Sequence, residues 1–177
     1  MEEYFKKVVK ERSQYLSFNK IDISDIKLET RARLQCFHCK NYHNKWTCPP
    51  MIPNLDYMKL FMEYENAAIV YCRIPFETAE EFNIIRVEST NLLHHALLEL
   101  EEILYKNNKP MAVSFIGGSC KLCKDGCNKE KCQQPDLARI PLEGTGVNVI
   151  RLIKETMNID LVFPPADYLY RVGLLLW

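Results

Sequence analysis

The chain has 177 residues, of which 47% are hydrophobic, and this suits a single folded core because a domain holds about 100–200 residues. Such a composition excludes intrinsic disorder. Lys and Arg total 23 and Asp and Glu also total 23, which excludes an overall charge that would hold the protein on nucleic acid or on an acidic membrane.

The N-terminal segment carries no export signal. Residues 1–8 mix acidic and basic side chains where a signal peptide needs a basic stub followed by an apolar run. The longest apolar runs, such as residues 67–72, fall far short of the roughly 18 residues that a membrane helix needs. We therefore expect a soluble, cytoplasmic protein with no membrane partner.

The spacing of apolar residues predicts alternating helices and strands. In chain order these are a helix over 4–16, an extended stretch over 21–28, a helix over about 55–64 capped by Asn54, a strand over 67–74, a helix over 78–106, a strand over 111–116, a helix over about 147–158 and a strand over 168–177.

Residues 67–116 are typical of a strand-helix-strand crossover, which joins parallel strands. We predict one metal-binding domain over residues 1–177, of the α/β or α+β class. It would have a small mixed or mostly parallel sheet, flanking helices and two cysteine-rich loops, at 36–50 and 117–135. The second loop would leave the carboxyl end of a parallel strand, where open α/β sheets place their ligands.

The chain contains eight cysteines, and in a cytosolic protein of this size such a count indicates metal or redox chemistry rather than disulfides. Four of them lie in the polar stretch 117–135 with the spacing C-x2-C-x3-C-x4-C, and these are Cys120, Cys123, Cys127 and Cys132. A C-x2-C turn brings two sulfurs onto one metal while backbone N–H groups point inward. Four thiolates satisfy either zinc or a [4Fe-4S] cluster.

The compactness of this second group favours iron-sulfur over zinc. Zinc sites commonly use two C-x2-C pairs separated by a dozen or more residues, whereas iron-sulfur loops place their ligands in one short run that ends near a proline. Pro135 lies three residues after Cys132. Four lysines against two acids in the loop also suit an anionic centre.

The first group provides three thiols, Cys36, Cys39 and Cys48, in the spacing C-x2-C-x8-C. A fourth ligand would come from His38, His43, Cys72 or a non-protein ligand. Three cysteines with a histidine would make a closed zinc site, and three with Cys72 a second closed cluster. Three alone would leave one iron open to a substrate.

Other residues near the cysteines allow two interpretations each. Trp46 and Tyr42 would either shield a cluster from water or pack in the core. A lone cysteine in an apolar strand, such as Cys72, is more often simply buried. His94 and His95 are adjacent on the long predicted helix, point to different faces and cannot grip one metal together, so we interpret both as structural.

Two motifs resemble the uncharacterised prokaryotic proteins of the domain of unknown function 2284 family, described as predicted metal-binding proteins. The first is C-x2-C-x2-Tyr followed by Trp-x-C-P-P, in residues 36–50. The second is Gly-Gly-x-C-x2-C-x3-C-x4-C-x2-Pro in 117–135, followed by Arg139 and the segment 143–146. Departures at Ser119 and Gly144 affect loop stiffness rather than ligand supply. The resemblance implies metal binding, in the form of iron-sulfur, without an assigned reaction.

Three functions follow from these observations. The first is an iron-sulfur protein that relays electrons to a redox partner protein or serves a redox enzyme. The second is an enzyme in which an open iron acts on a small-molecule substrate, with His38, His43 or Glu143 as proton carriers. The third is a zinc-stapled module whose local basic and aromatic residues contact nucleic acid, and these residues are Arg31, Arg33, Phe37, Lys40, Lys45 and Trp46. The neutral net charge makes the third the weakest.

Overall fold

A computed structural model describes the whole chain, residues 1–177. Its helices are α1 (Glu2–Arg12), α2 (Thr30–Phe37), α3 (Tyr57–Met62), α4 (Ala79–Lys106) and α5 (Val149–Met157). Its strands are β1 (Leu16–Ile21), β2 (Ala67–Pro75), β3 (Val113–Phe115) and β4 (Tyr168–Leu176). Short 3-10 helices lie at Ile23–Asp25 and Leu142–Thr145. The class is α+β, which agrees with the predicted class.

The sheet is antiparallel throughout, so the predicted parallel pairing is wrong. Its strand order is β1-β2-β4-β3, and each neighbouring pair runs antiparallel. β2 and β3 do run in the same direction, as a crossover requires, but the C-terminal strand β4 lies between them. The register pairs Ala67 of β2 and Val113 of β3 with the same residue, Leu176 of β4.

Local sequence signals explain the helix ends. Thr78 and Glu81 form a reciprocal capping box at the start of α4, which satisfies two N–H groups that the helix itself leaves free. The helix α3 is capped by Asp56 rather than by the predicted Asn54, since the Asp56 side chain accepts a hydrogen bond from the Lys59 N–H. Asn158 ends α5 in the left-handed conformation, which asparagine tolerates better than most residues.

Two predicted elements are displaced and one was not predicted. The first helix ends at Arg12 rather than at residue 16, and the strand that follows occupies 16–21 rather than 21–28. The helix α2, which carries Cys36, was not predicted. Its eight residues bury no side chain, so it lacks the apolar stripe from which a helix is recognised.

The sheet packs apolar side chains on both faces. Alternate residues of β2 point to opposite sides, so Ala68, Val70 and Cys72 join a core with α1 and α4. Ala67 and Ile69 join the other core, with α3 and α5. Burial on both faces explains why β2 has the continuous apolar sequence that is typical of a parallel strand.

The end of β3 delivers the second cysteine loop to the sheet edge. A Cβ at Gly117 would lie 2.6 Å from the backbone oxygen of Val172, so only glycine permits this close approach of the chain to β4. No helix combines the length and the apolar composition that crossing a membrane requires.

Candidate metal centre

The first cysteine group lies at the C-terminal end of α2 and in the turns that follow. Cys36 is half-buried in the last turn of the helix, Cys39 is exposed and Cys48 is buried. The backbone N–H of Cys39 bonds to the carbonyl of Cys36 at 3.1 Å, and the loop is closed by the bond from the His43 N–H to the Pro49 carbonyl at 3.0 Å. The C-x2-C segment is therefore a continuation of the helix end, not a thioredoxin-type helix start.

Burial is the main influence on the pKa values of the thiols in this group. Burial raises the pKa of Cys36, and the nearby Glu143 and Cys39 raise it further. Burial also raises the pKa of Cys48 to about 12, with Cys39 as the next cause, while Lys45 acts in the opposite direction. Without a metal these two thiols are protonated near neutral pH, so a metal that binds them must displace their protons.

The second cysteine group surrounds one small cavity. All four cysteines line it, with Cys120 buried and the other three half-buried. Burial raises the pKa of Cys120, an effect that the backbone N–H of Leu122 opposes by bonding to the sulfur. The Gln134 side chain donates to the sulfur of Cys123 at 3.8 Å. The Leu122 N–H is a donor of the kind that a C-x2-C turn predicts, and Gln134 adds a side-chain donor from outside the turn.

The sulfurs are gathered into two neighbourhoods, but they do not yet form coordination shells. No three His, Cys, Asp or Glu side chains converge closely enough to hold a metal ion. The cavity of the second group measures about 10 Å³, close to the space of one water molecule. A zinc ion requires the sulfurs to draw together, and a four-iron cluster requires the loop to widen.

The second loop has few hydrogen bonds within its own backbone. A single backbone-to-backbone hydrogen bond, from the Gly126 N–H to the Cys123 carbonyl at 3.2 Å, lies within residues 119–133. A segment with so few internal bonds costs little to rearrange. The donor set and the loop therefore fit a thiolate-ligated metal centre.

The two cysteine loops pack against each other. The Lys45 ammonium group donates to the carbonyl of Cys120 at 2.6 Å, and the Trp46 indole N–H donates to the carbonyl of Asn128 at 2.8 Å. Both residues belong to the first loop, yet both line the cavity of the second group. Lys45 lowers the pKa of Cys48 and of Cys120, so its charge acts on both groups.

The second cysteine loop carries more cations than acids, with four lysines against two acidic residues between Cys120 and Cys132. Burial lowers the pKa of Lys121, and the charges of Lys45, Arg171, Arg86 and Lys40 lower it further. Uncompensated cations favour an anionic occupant. Four thiolates around either zinc or an iron-sulfur cluster provide one, so this charge arrangement fits a metal centre without identifying the metal.

None of the fourth-ligand residues predicted from the sequence lines the cavity onto which the three cysteines of the first group open. A large cavity of about 1160 Å³ is lined by Cys36, Cys39 and Cys48, but not by His38, His43 or Cys72. The two histidines are exposed. Cys72 is wholly buried on the core face of β2, where burial raises its pKa to about 12.

Glu143 lines the same large cavity and connects the two loops. Its carboxylate oxygens accept from the N–H of Gly118 at 3.3 Å, and its backbone carbonyl accepts from the Cys36 thiol at 3.9 Å. Burial raises the pKa of Glu143, while the Gly118 N–H and Arg171 lower it. Of the three proton carriers predicted from the sequence, Glu143 is the one that faces the cavity.

The remaining predicted residues have mainly structural contacts. His94 is buried, and its Nε2 lies 2.9 Å from the carbonyl oxygen of Leu137, so it anchors the end of the second loop on α4. His95 is exposed. The Tyr42 ring lies 5.2 Å from the Phe37 ring, and Tyr42 also lines the large cavity.

The basic and aromatic residues of the third candidate function differ in their contacts. Arg31 forms an ion pair with Glu29. Lys45 and Trp46 donate hydrogen bonds to carbonyl groups of the second loop. Arg33, Phe37 and Lys40 are exposed.

Sequence reasoning missed Arg171, which lines the large cavity from β4. One signal could have found it, because Arg171 is the single charged residue in the otherwise apolar stretch 169–177. A charge in such a strand needs a partner or a function.

Comparison with known proteins yields one match. The model of the family described as predicted metal-binding protein, domain of unknown function 2284, matches residues 19–177. No curated protein and no solved structure matches the chain. The match takes in both cysteine groups and nearly the whole chain, and we conclude that this protein belongs to that family of predicted metal-binding proteins.

Proposed function

We propose that this protein is a cytoplasmic iron-sulfur protein that relays electrons, with Cys120, Cys123, Cys127 and Cys132 holding a [4Fe-4S] cluster. The observation that supports it is that the four cysteines of one short polar loop line a single cavity. Cysteines that serve packing are scattered among apolar neighbours, whereas this loop has little to bury.

Iron-sulfur is preferred over zinc because of how the ligands are distributed along the chain. All four cysteines lie within residues 120–132, as in the compact ligand runs of iron-sulfur proteins. The donors that surround the sulfurs, including the side chain of Gln134 and the N–H of Leu122, are of the kind that tune the reduction potential of a cluster.

An electron relay needs a second metal centre or a partner protein close by. Because the two cysteine loops pack against each other, a centre in the first loop would be close to one in the second. Cys36, Cys39 and Cys48 would hold a second metal centre, and Lys45 and Trp46 of this loop contact the loop of Cys120, Cys123, Cys127 and Cys132. The lysines of the second loop, Lys121, Lys124, Lys129 and Lys131, suit docking of an acidic redox partner protein.

Anaerobic purification tests the proposal. The protein should be brown, should contain about four iron and four sulfide per cluster, and should give cluster signals in electron paramagnetic resonance after reduction. A Cys127→Ala variant should lose the iron of the second group, whereas the matched Cys72→Ala variant should keep it. Colourless protein with stoichiometric zinc would reject the proposal.

A second candidate function is favoured by the large cavity. The three cysteines of the first group open onto it together with Glu143, which supports a centre with a position open to a substrate. An iron centre held by Cys36, Cys39 and Cys48 would supply a Lewis acid for a small substrate. Glu143 would hold or transfer a proton at its carboxylate, which the N–H of Gly118 orients.

Substrate addition separates the two candidates. An enzyme with an open iron should change its visible spectrum when a substrate binds, and the change should disappear in a Cys39→Ala variant. A pure relay should show no spectral response to any small molecule but should exchange electrons with a reduced partner protein.

A further inference from the structure

Lys45 is bonded to one cysteine of each group. Its backbone carbonyl accepts from the Cys48 N–H at 3.0 Å, and its ammonium group donates to the carbonyl of Cys120 at 2.6 Å. The two residues that follow it, Trp46 and Thr47, line the cavity of the second group together with Lys45. Bonds from both ends of this one residue therefore hold its charge beside both groups.

The charge of Lys45 has no carboxylate partner. The side chain is half-buried, and it forms no ion pair within 4.0 Å. Its bond to Cys120 goes to a carbonyl, which has no net charge. A cation that is partly removed from water is unfavourable unless an anion lies nearby, so the position of Lys45 suits anionic occupants in the two loops.

The thiols on either side respond to this charge in the same direction. Burial raises the pKa of both Cys48 and Cys120, and Lys45 lowers the pKa of both. A nearby cation favours the thiolate over the thiol, and the thiolate is the form that binds a metal. Lys45 therefore favours the metal-binding form of one cysteine in each group.

We propose that Lys45 is a positioning residue shared by the two metal centres, and that its charge strengthens metal retention in both loops and raises the reduction potential of both centres. Reduction adds negative charge, which a fixed cation stabilises. The part that concerns potentials rests on the proposed iron-sulfur function, whereas the part that concerns metal retention applies equally to zinc. A lysine that simply tied the loops together would act on the second group alone, through its bond to Cys120.

Metal loss to phenanthroline, an uncharged chelator of zinc and ferrous iron, tests the effect at each group separately. Cys127→Ala protein should keep the first centre and Cys39→Ala protein should keep the second, so each serves as a background for Lys45→Gln. Glutamine retains a donor for the Cys120 carbonyl but has no charge. We expect metal loss to become about tenfold faster in both backgrounds, because thiolates without the nearby cation hold metal less strongly.

Three further variants separate the charge from the contact between the loops. Lys45→Arg retains the charge and should lose metal at close to the wild-type rate in both backgrounds. Trp46→Phe removes the other bond between the loops without a change of charge, so it should act on the second group alone. Lys129→Gln removes an exposed lysine of the second loop, whose charge is screened by water and salt, and it should change neither rate.

Redox titration of the full chain with all its cysteines gives a second readout. In Lys45→Gln both centres should be harder to reduce, with the equilibrium constant for reduction lowered about tenfold, which is a shift of about −59 mV for one electron. Lys45→Arg should restore both potentials. A purely structural role of Lys45 would not move both potentials in the same direction.

The outcomes distinguish this proposal from the proposed function. An effect of Lys45→Gln at one group alone, or equal metal loss in Lys45→Gln and Lys45→Arg, would overturn the shared role of the charge. Protein that carries zinc instead of iron contradicts the iron-sulfur relay, and its metal loss still decides the role of Lys45. Protein with two iron-sulfur centres that do not respond to Lys45→Gln contradicts the shared role alone, and a chain that binds no metal contradicts both.

Discussion

The two cysteine groups lie side by side but differ in what surrounds them. The second group lines a small cavity between the two loops, where Trp46 and Lys45 from the first loop close it. The first group opens onto a cavity of about 1160 Å³ with Glu143 and Arg171 in its wall. Four thiols in a closed site suit a stable metal centre, whereas three thiols beside a large cavity suit a centre that meets a ligand. On our proposal, the second group would store or relay electrons and the first group would be the place where a substrate could react.

The largest effect that we expect comes from removing a cysteine of the second group. Cys123→Ala leaves three thiolates where four are needed, so the iron content should fall to the amount held by the first group. Iron analysis after anaerobic gel filtration measures the loss. Cys72→Ala is the control, because Cys72 is wholly buried in the core. Equal iron in Cys123→Ala and the wild type would contradict the assignment of this loop.

Acid should lower the stability of the folded protein through His94, which is buried beside the end of the second cysteine loop. Burial lowers the pKa of this imidazole to about 4, from an ordinary value of 6.5, although its bond to Leu137 opposes the shift. Between these two values the unfolded chain binds more protons than the folded one, so stability falls as the pH drops from about 6.5 to 4, by up to about 3 kcal/mol. Below pH 4 no further loss from this group is expected.

Urea unfolding at a series of pH values measures this dependence. His94→Gln should flatten it, because an amide can still donate to the Leu137 carbonyl but does not titrate in this range. His95→Gln should leave the dependence intact, because His95 is exposed. An unchanged pH profile in His94→Gln would show that another group is responsible.

A smaller effect should follow from loosening the contact between the loops. Trp46→Phe removes the donor to the Asn128 carbonyl, which should lower the free energy of unfolding by about 1 kcal/mol. It should also speed the loss of iron from the second group to a chelator. Trp177→Phe is the matched control, because Trp177 packs on Phe5 at 5.8 Å, in the core with α1. The chelation rate of that variant should equal the wild-type rate.

The smallest expected effect is confined to the first cysteine group. The side chain of Asn41 donates to the sulfur of Cys39 at 3.6 Å, and hydrogen bonds to sulfur raise the reduction potential of a cluster. Asn41→Ala should therefore lower the potential of the first centre and leave the second unchanged, as measured by redox titration. Asn44→Ala is the control, since its amide donates to the Lys40 carbonyl instead. A shift at the second centre would mean that the groups are not independent.

The sequence predicted the elements that have strong local signals. The Thr78–Glu81 capping box begins α4, a helix of 28 residues, and apolar residues recur with helical period from Phe82 to Leu104. β2 and β4 were also found, because both are apolar runs of strand length. The pairing of these strands was not predictable from their residues, since β4 enters between β2 and β3 from about 50 residues further along the chain. A doubly buried antiparallel strand has the same composition as a parallel one.

The candidate site was predictable to a similar degree. Cysteine spacing identified the two groups, because ligands that share one turn leave a local pattern. It could not show that Lys45 and Trp46 join the loops, since those contacts cross more than 70 residues. It also could not show the large cavity, whose walls come from α2, α5 and β4. Arg171 carries a signal only once its strand is known to be buried.

Mössbauer spectroscopy of protein grown on ⁵⁷Fe and purified without oxygen tests the central assignment most directly. Our account predicts tetrahedral, sulfur-coordinated iron in an amount that drops when Cys123 is replaced by alanine. A spectrum without sulfur-coordinated iron, from a folded sample that carries zinc on the same cysteines, would contradict it.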